Sequence, residues 1–197
     1  MGASPQDSAS RPAPGLLSAL RWWRVFFGRR LSGTIFRYRQ LTRGVYIEPG
    51  LMLAGGGEVR LDPGVVIQRG AMLATRPGAR LAIGPDSRIG PDVVISVAEQ
   101  VTLGRSVLTA ARCYISDHNH EFSDPERPVL QQGMTPARPV TIGDGSWLGI
   151  NVCILPGVTL GRNCVVAANS VVTTSFPDYS VVAGAPARLL RSAAPVP

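Results

Sequence analysis

The residues of this chain best suited to proton chemistry sit together in Asp117-His118-Asn119-His120-Glu121. Both histidines of the chain lie there, two residues apart, each beside a carboxylate, Asp117 or Glu121. A neutral imidazole can accept a proton from a hydroxyl near neutral pH and return it to a leaving group. An isolated loop histidine is more often a surface residue than a base, so the weight of this pair depends on where the fold puts it. Asp117 either orients a histidine or makes the turn. The cysteines do not compete as nucleophiles: Cys113, Cys153 and Cys164 lie far apart without CxxC spacing. They read as buried free thiols, which favours a reducing compartment.

The elements that must position the histidines follow a period of six. Aliphatic residues recur at Ile142, Leu148, Ile154, Leu160, Val166 and Val172, several of them followed by glycine. The same beat runs through Leu61, Ile67 and Leu73, through Ile83, Ile89 and Ile95, and through Leu103, Thr109 and Ile115, with an earlier turn at Ile47, Leu53 and Val59. The breaks between these blocks are small register shifts, as from short insertions at corners. A six-residue repeat predicts an all-β solenoid: each hexapeptide is one flat side, three sides make a triangular coil, and the aliphatic residue points inward. Successive coils should stack as parallel strands about 4.8 Å apart. The beat stops after Ile115 and resumes at Val140, and both histidines fall in that gap. The expected organisation is a tail at 1–14, a basic aromatic segment with a short helix at 15–43, a β-helix domain at 44–191 with an active-site loop at 116–139, and a tail at 192–197.

Three stretches carry a resemblance: Val140-Thr141-Ile142-Gly143-Asp144-Gly145-Ser146-Trp147-Leu148-Gly149, Leu155-Pro156-Gly157-Val158-Thr159-Leu160-Gly161, and Val182-Ala183-Gly184-Ala185-Pro186-Ala187-Arg188. From about residue 83 to 191 the chain resembles the hexapeptide-repeat acyltransferases, in particular the maltose, galactoside and colanic-acid O-acetyltransferases. The resemblance implies a left-handed parallel β-helix, an exception to the right-handed crossover rule. It also implies acetyl-CoA or another acyl-CoA as co-substrate, and a homotrimer with active sites between subunits. His120 follows Ile115 by five residues, and His120-Glu121-Phe122-Ser123-Asp124-Pro125 is similar to the colanic-acid type. On that basis His120 is expected to be the general base and His118 a neighbour shaping the acceptor site. On the donor side the resemblance implies Trp147 flanking the donor site, backbone at Ile150 and Ala168 holding the pantetheine arm, and Thr173, Arg188 and Arg191 toward the nucleotide. Where the sugar acetyltransferases carry an asparagine, the aligned Arg88-Ile89-Gly90-Pro91-Asp92 has none. Asp92, Glu99 and Glu121 are the candidate acceptor contacts.

Composition narrows the classes. The net charge is +7 and its basic part is all arginine, a coding-bias pattern that alone cannot choose among nucleic acid, anionic lipid and phosphorylated small molecules. No nucleic-acid partner is expected. A metal hydratase on the same fold would need three histidine ligands where this chain has two, so no metal is expected. Residues 16–41 interleave Trp22, Trp23, Phe26 and Phe27 with Arg21, Arg24, Arg29 and Arg30. That pattern fits a cap over the open end of the domain, or peripheral contact with a membrane interface. No run approaches the roughly 18 apolar residues of a spanning helix, and the order of a signal peptide is absent. A cytoplasmic protein is expected, at the inner membrane face if 16–41 meets lipid and away from it if that segment only caps the domain. The expected activity is O-acetylation of a sugar hydroxyl of an envelope saccharide or its precursor. The alternatives are a non-catalytic scaffold and an N-acyltransferase acting on a nucleotide amino sugar.

Overall fold

A short side bearing one large aliphatic residue buries it only if two other sides close around it and further coils stack above and below. The computed structural model, which describes residues 44–192 and residue 194, has this architecture. The expected helix within 15–43 lies outside the described residues. One sheet stacks β1 (Tyr46–Ile47), β4 (Val66–Ile67), β7 (Arg88–Ile89), β10 (Leu108–Thr109), β13 (Trp147–Leu148), β16 (Val165–Val166) and β18 (Ser180–Gly184), all parallel. The second contains β2 (Met52–Gly55), β5 (Met72–Thr75), β8 (Val94–Val97), β11 (Tyr114–Ser116), β14 (Cys153–Ile154) and β17 (Val171–Val172). The third contains β3 (Glu58–Leu61), β6 (Arg80–Ile83), β9 (Gln100–Leu103), β12 (Val140–Ile142) and β15 (Thr159–Leu160). The chain visits the three sheets in turn, giving a parallel β-solenoid of about seven coils.

Register follows the hexapeptide beat. Ile67, Ile89, Thr109, Leu148 and Val166 stack in one inward column, Leu73, Ile95, Ile115, Ile154 and Val172 in the second, and Ile83, Leu103, Ile142 and Leu160 in the third. All are buried. The one hydroxyl among them is satisfied: Thr109 Oγ1 accepts the Gly90 N–H at 3.0 Å. The register shifts between blocks have a physical origin at the corner between the second and third sheets. There the early coils carry four-residue strands separated by a two-residue bend, Gly56-Gly57 or Ala98-Glu99, or by a four-residue one, 76–79, so that successive inward residues such as Ile95 and Leu103 stand farther apart than Ile154 and Leu160. The later coils make this turn with fewer residues.

Small residues after the inward aliphatic are required by coil stacking. A Cβ built on Gly143 would lie 2.5 Å from the Gly161 carbonyl carbon and 2.6 Å from Arg162 N, so only a bare α-carbon fits beneath the next coil. At the end of the stack the segment Val182 to Arg188 is a hairpin: β18 turns into antiparallel β19 (Ala187–Ser192) on the last edge of the first sheet. This reversal goes beyond the hexapeptide pattern.

Two substitutions test this packing by urea or thermal denaturation. Leu148→Ala is expected to cost about 2–5 kcal/mol, as for other fully buried leucines. Gly143→Ala is expected to cost about 1–3 kcal/mol because its obstacle is backbone and cannot rotate away. Unchanged stability in Gly143→Ala would contradict the register.

Candidate active site

The solenoid is interrupted once among the described residues, between β11 and β12, and the two ends of the interruption are pinned to each other. Paired residues of successive late coils are 18 apart, as for Trp147 and Val165, whereas Leu108 pairs with Trp147, 39 residues on (147 less 108). The extra chain, 117–139, leaves as a narrow-necked arm. Arg138 N donates to Asp117 O at 2.7 Å, Thr135 N to Asn119 O at 2.9 Å and Glu121 N to Gly133 O at 3.1 Å, with an antiparallel bridge between His120 and Met134. Beyond the neck a single helical turn, α1 (Val129–Gln132), is tied back by Gln132, whose Nε2 donates to Asp124 O and Arg127 O. Phe122 and Leu130 remain exposed on the arm, Leu130 at 88%.

At the base of the neck the sequence Ser-Asp-His is locked into the corner. Ser116 Oγ donates to His118 O at 2.9 Å and accepts from His118 N at 3.3 Å, folding the chain back as it leaves β11. Asp117 is fully buried. Its Oδ1 accepts from Ala98 N at 2.8 Å, and its Oδ2 accepts from Glu99 N and Gln100 N, both at 2.8 Å. In the coil above, the matching amides find backbone carbonyls of the next coil, as when Arg76 N donates to Val97 O and Arg80 N to Glu99 O. Because the chain departs at 117, no such carbonyls stand beneath residues 98–100. The Asp117 carboxylate replaces them and leaves no buried amide unpaired.

The same carboxylate holds the histidine. His118 Nδ1 lies 2.7 Å from Asp117 Oδ1, and the ring is largely buried, its side chain 9% exposed. Burial pushes the Asp117 carboxyl up, but the Ala98 amide, His118 and the Glu99 and Gln100 amides together outweigh it, so its pKa is lowered and it is ionised at neutral pH. A neutral His118 beside this anion carries its proton on Nδ1, which leaves the Nε2 lone pair free. His120, two residues farther along the neck, is exposed, and its ring has no hydrogen-bond partner among the described residues. Glu121 accepts from Ser123 N and Phe122 N, bonds that hold its carboxyl below the usual range and shape its own turn.

The other expected site residues are distributed around the coil. Glu99 is exposed at the dyad's own corner, one coil above. Asp92 stands at the opposite corner of the second sheet, its carboxylate over the space left by Gly70. Trp147, 48% exposed, lies in the outward column of the first sheet between Leu108 and Val165. Ile150 and Ala168 occupy successive turns of the corner between the first and second sheets, where Ile150 O accepts Asn169 N at 2.9 Å. Thr173 follows β17, and Arg188 and Arg191 are exposed on β19. Within one chain, then, Ile150 and Ala168 lie across the width of the second sheet from His118, whereas Thr173 lies at the same corner as His118, two coils below it. Burial pushes the Cys113 thiol up to about 11, which removes it as a nucleophile at neutral pH. Sequence reasoning passed over Ser116, the 98–100 amides and Arg138. The Ser-Asp-His order was the readable signal for Ser116 alone.

The dyad makes a pH prediction. A carboxyl whose pKa is lowered by folding contributes stability above its unfolded pKa of about 4 and loses it as pH falls through the lower folded value. The melting temperature of Asp117→Asn should therefore fall furthest below the wild type at neutral pH, and the gap should close below about pH 4. A gap independent of pH would contradict the assigned charge.

Comparisons with known proteins agree with this architecture. A family model described as the hexapeptide repeat of succinyl-transferase matches residues 139–174. A probable acetyltransferase of Mycobacterium tuberculosis is 33% identical over 174 residues, covering 87% of this chain and 58% of that protein. The galactoside O-acetyltransferase of Escherichia coli is 38% identical over 91 residues, 46% of this chain and 43% of that protein. The chain thus spans about half the length of these relatives. A solved galactoside acetyltransferase in complex with coenzyme A superposes with a TM-score of 0.51 at 27% identity, covering 71% of this chain and 64% of that one. Repeat, solenoid and relatives converge: the chain is a hexapeptide-repeat β-helix protein that resembles the galactoside type of O-acetyltransferase.

Proposed function

We propose that this protein is an acyl-CoA-dependent O-acyltransferase that moves an acetyl group from acetyl-CoA to a sugar hydroxyl, with His118 as general base. The observation that carries this reading is the 2.7 Å contact between His118 Nδ1 and the buried Asp117 carboxylate at the mouth of the arm. Nε2 removes the proton of the acceptor hydroxyl as its oxygen attacks the thioester carbonyl. Backbone N–H groups hold the tetrahedral oxyanion, and the imidazolium returns the proton to the departing thiolate. Asp117 stays ionised throughout, fixing the ring and stabilising its charged form. The sequence expectation gave the base to His120. The geometry favours His118, because His118 alone has a carboxylate that sets its tautomer, and His120 is assigned to the acceptor side.

Donor binding is assigned to Trp147, Ile150, Ala168, Thr173, Arg188 and Arg191. In its support, the Ile150 and Ala168 amides have no hydrogen-bond partner among the described residues and are free to meet the amides of a pantetheine arm. A homotrimer would bring this corner of one subunit to the dyad of its neighbour. The outward side chains favour such packing: the second sheet presents Met52, Met72, Val94, Tyr114 and Val171, while the third presents Glu58, Arg60, Arg80 and Thr102. Peripheral membrane contact through 16–41 is supported by charge, since six of the 20 arginines and none of the 13 acids lie in that segment. No helix among the described residues is long and apolar enough to cross a membrane.

Thiol release from acetyl-CoA in the presence of an accepted sugar tests the assignment. His118→Ala is expected to lower kcat by about 10²–10⁴, the range for loss of a general base, with acetyl-CoA binding retained. His120→Ala should act mainly on the KM of the acceptor. Full activity in His118→Ala would overturn the mechanism, and the reverse ranking would return the base to His120.

A further inference from the structure

Arg138 is the one charged residue at the dyad's corner whose side chain has no assigned work. Its backbone is fixed on both sides: N donates to Asp117 O at 2.7 Å, and O accepts from Gly157 N at 2.9 Å. Its backbone lies in the dyad's own coil, on the returning limb of the arm, while Glu99, whose N–H bonds Asp117 Oδ2, lies one coil above. The side chain is supported along its length by the bare face of Gly157. A Cβ built there would meet Arg138 Cβ at 3.4 Å, Cδ at 3.5 Å and Cζ at 3.6 Å. The guanidinium is exposed and makes no ion pair or hydrogen bond among the described residues. Neighbouring arginines are occupied: Arg127 donates to Gln131 O, Arg112 to Asn151 and Arg162 to Asp178. The Glu99 carboxylate one coil above and the Arg138 side chain, which reaches over Gly157 of the coil below, thus lie on either side of the dyad along the stacking direction, both without a side-chain partner among the described residues.

We propose that Arg138 binds a phosphate group of the acceptor, so that the substrate is a phosphorylated sugar, free or diphosphate-linked, rather than a neutral saccharide. This rests on the acyltransferase reading given above. The planar fork of an arginine donates two parallel hydrogen bonds to phosphate oxygens, a geometry that sugar hydroxyls do not match. Glu99, on the other side of the dyad, accepts from sugar hydroxyls, and the reacting hydroxyl lies between them over His118 Nε2. The donor's own phosphates have a separate place in this scheme, at Arg188 and Arg191 on β19.

Calorimetric titration of the full chain with inorganic pyrophosphate tests the proposal, using wild type and Arg138→Gln, each with and without saturating CoA. The expected result is a pyrophosphate site that persists when CoA is bound and weakens about tenfold or more in Arg138→Gln, while CoA affinity and melting temperature stay unchanged. Pyrophosphate that CoA displaces completely would place the anion site on the donor side, and equal pyrophosphate binding by wild type and variant would show that the guanidinium holds no phosphate. Either result overturns the proposal while leaving the acyltransferase reading intact. Absence of CoA binding in the wild type would overturn both.

Discussion

A single buried carboxylate joins the architecture of this protein to its chemistry. Where the solenoid opens to release the arm, the Ala98 and Gln100 amides lose the coil carbonyls that pair the matching amides above, and the Glu99 amide between them is also left to be met. The side chain of Asp117 takes all three at 2.8 Å. An unpaired buried amide costs about 1–3 kcal/mol, so a neutral or apolar residue there would destabilise the corner severalfold over. The charge that closes the break is then available, already desolvated and fixed, to hold the ring of His118.

The solenoid suits this role because it is stiff and repetitive. Each coil is held to its neighbours by parallel backbone pairing and by inward columns of Ile, Leu and Val with almost no exposure. Displacing one corner means displacing the stack, so the dyad and the residues above and below it keep fixed spacing. The arm contributes a different property. Its neck is closed by backbone bonds, but its tip carries exposed apolar side chains such as Phe122 and Leu130, and it packs little of itself into the core. Rigid spacing at the neck and accessible surface at the tip are what a site requires when one face must orient a proton and another must admit a large substrate.

The fold was legible in the sequence to the level of individual inward residues. Ile89, Ile95 and Ile115 stand where the six-residue beat puts them, because a period that matches one side of a triangular coil leaves few other ways to bury an aliphatic side chain. The place where the arm leaves the solenoid was legible for the same reason: a break in a strict repeat is visible without any structure. The environments of the two histidines were not. Counting residues from Ile115 selects His120, but the difference between the two histidines lies in a contact across coils, through Asp117 to amides nearly twenty positions earlier. Periodicity carries no information about it. Arg138 was hidden similarly, as one arginine among 20 until the neck of the arm placed it opposite Asp117. The terminal hairpin of β18 and β19 escaped because antiparallel reversal breaks the pattern that made the coils readable.

The claim on which the account turns is that the Asp117 carboxylate fixes His118 with its proton on Nδ1 and its lone pair on Nε2. Long-range proton–nitrogen NMR of the histidine-labelled protein near neutral pH observes those two nitrogens directly, with His118→Ala supplying the assignment. Whenever the His118 ring is neutral, its proton is expected on Nδ1 with Nε2 unprotonated. A His118 ring carrying its proton on Nε2 with a bare Nδ1, or one indistinguishable from the freely exchanging ring of His120, would contradict it.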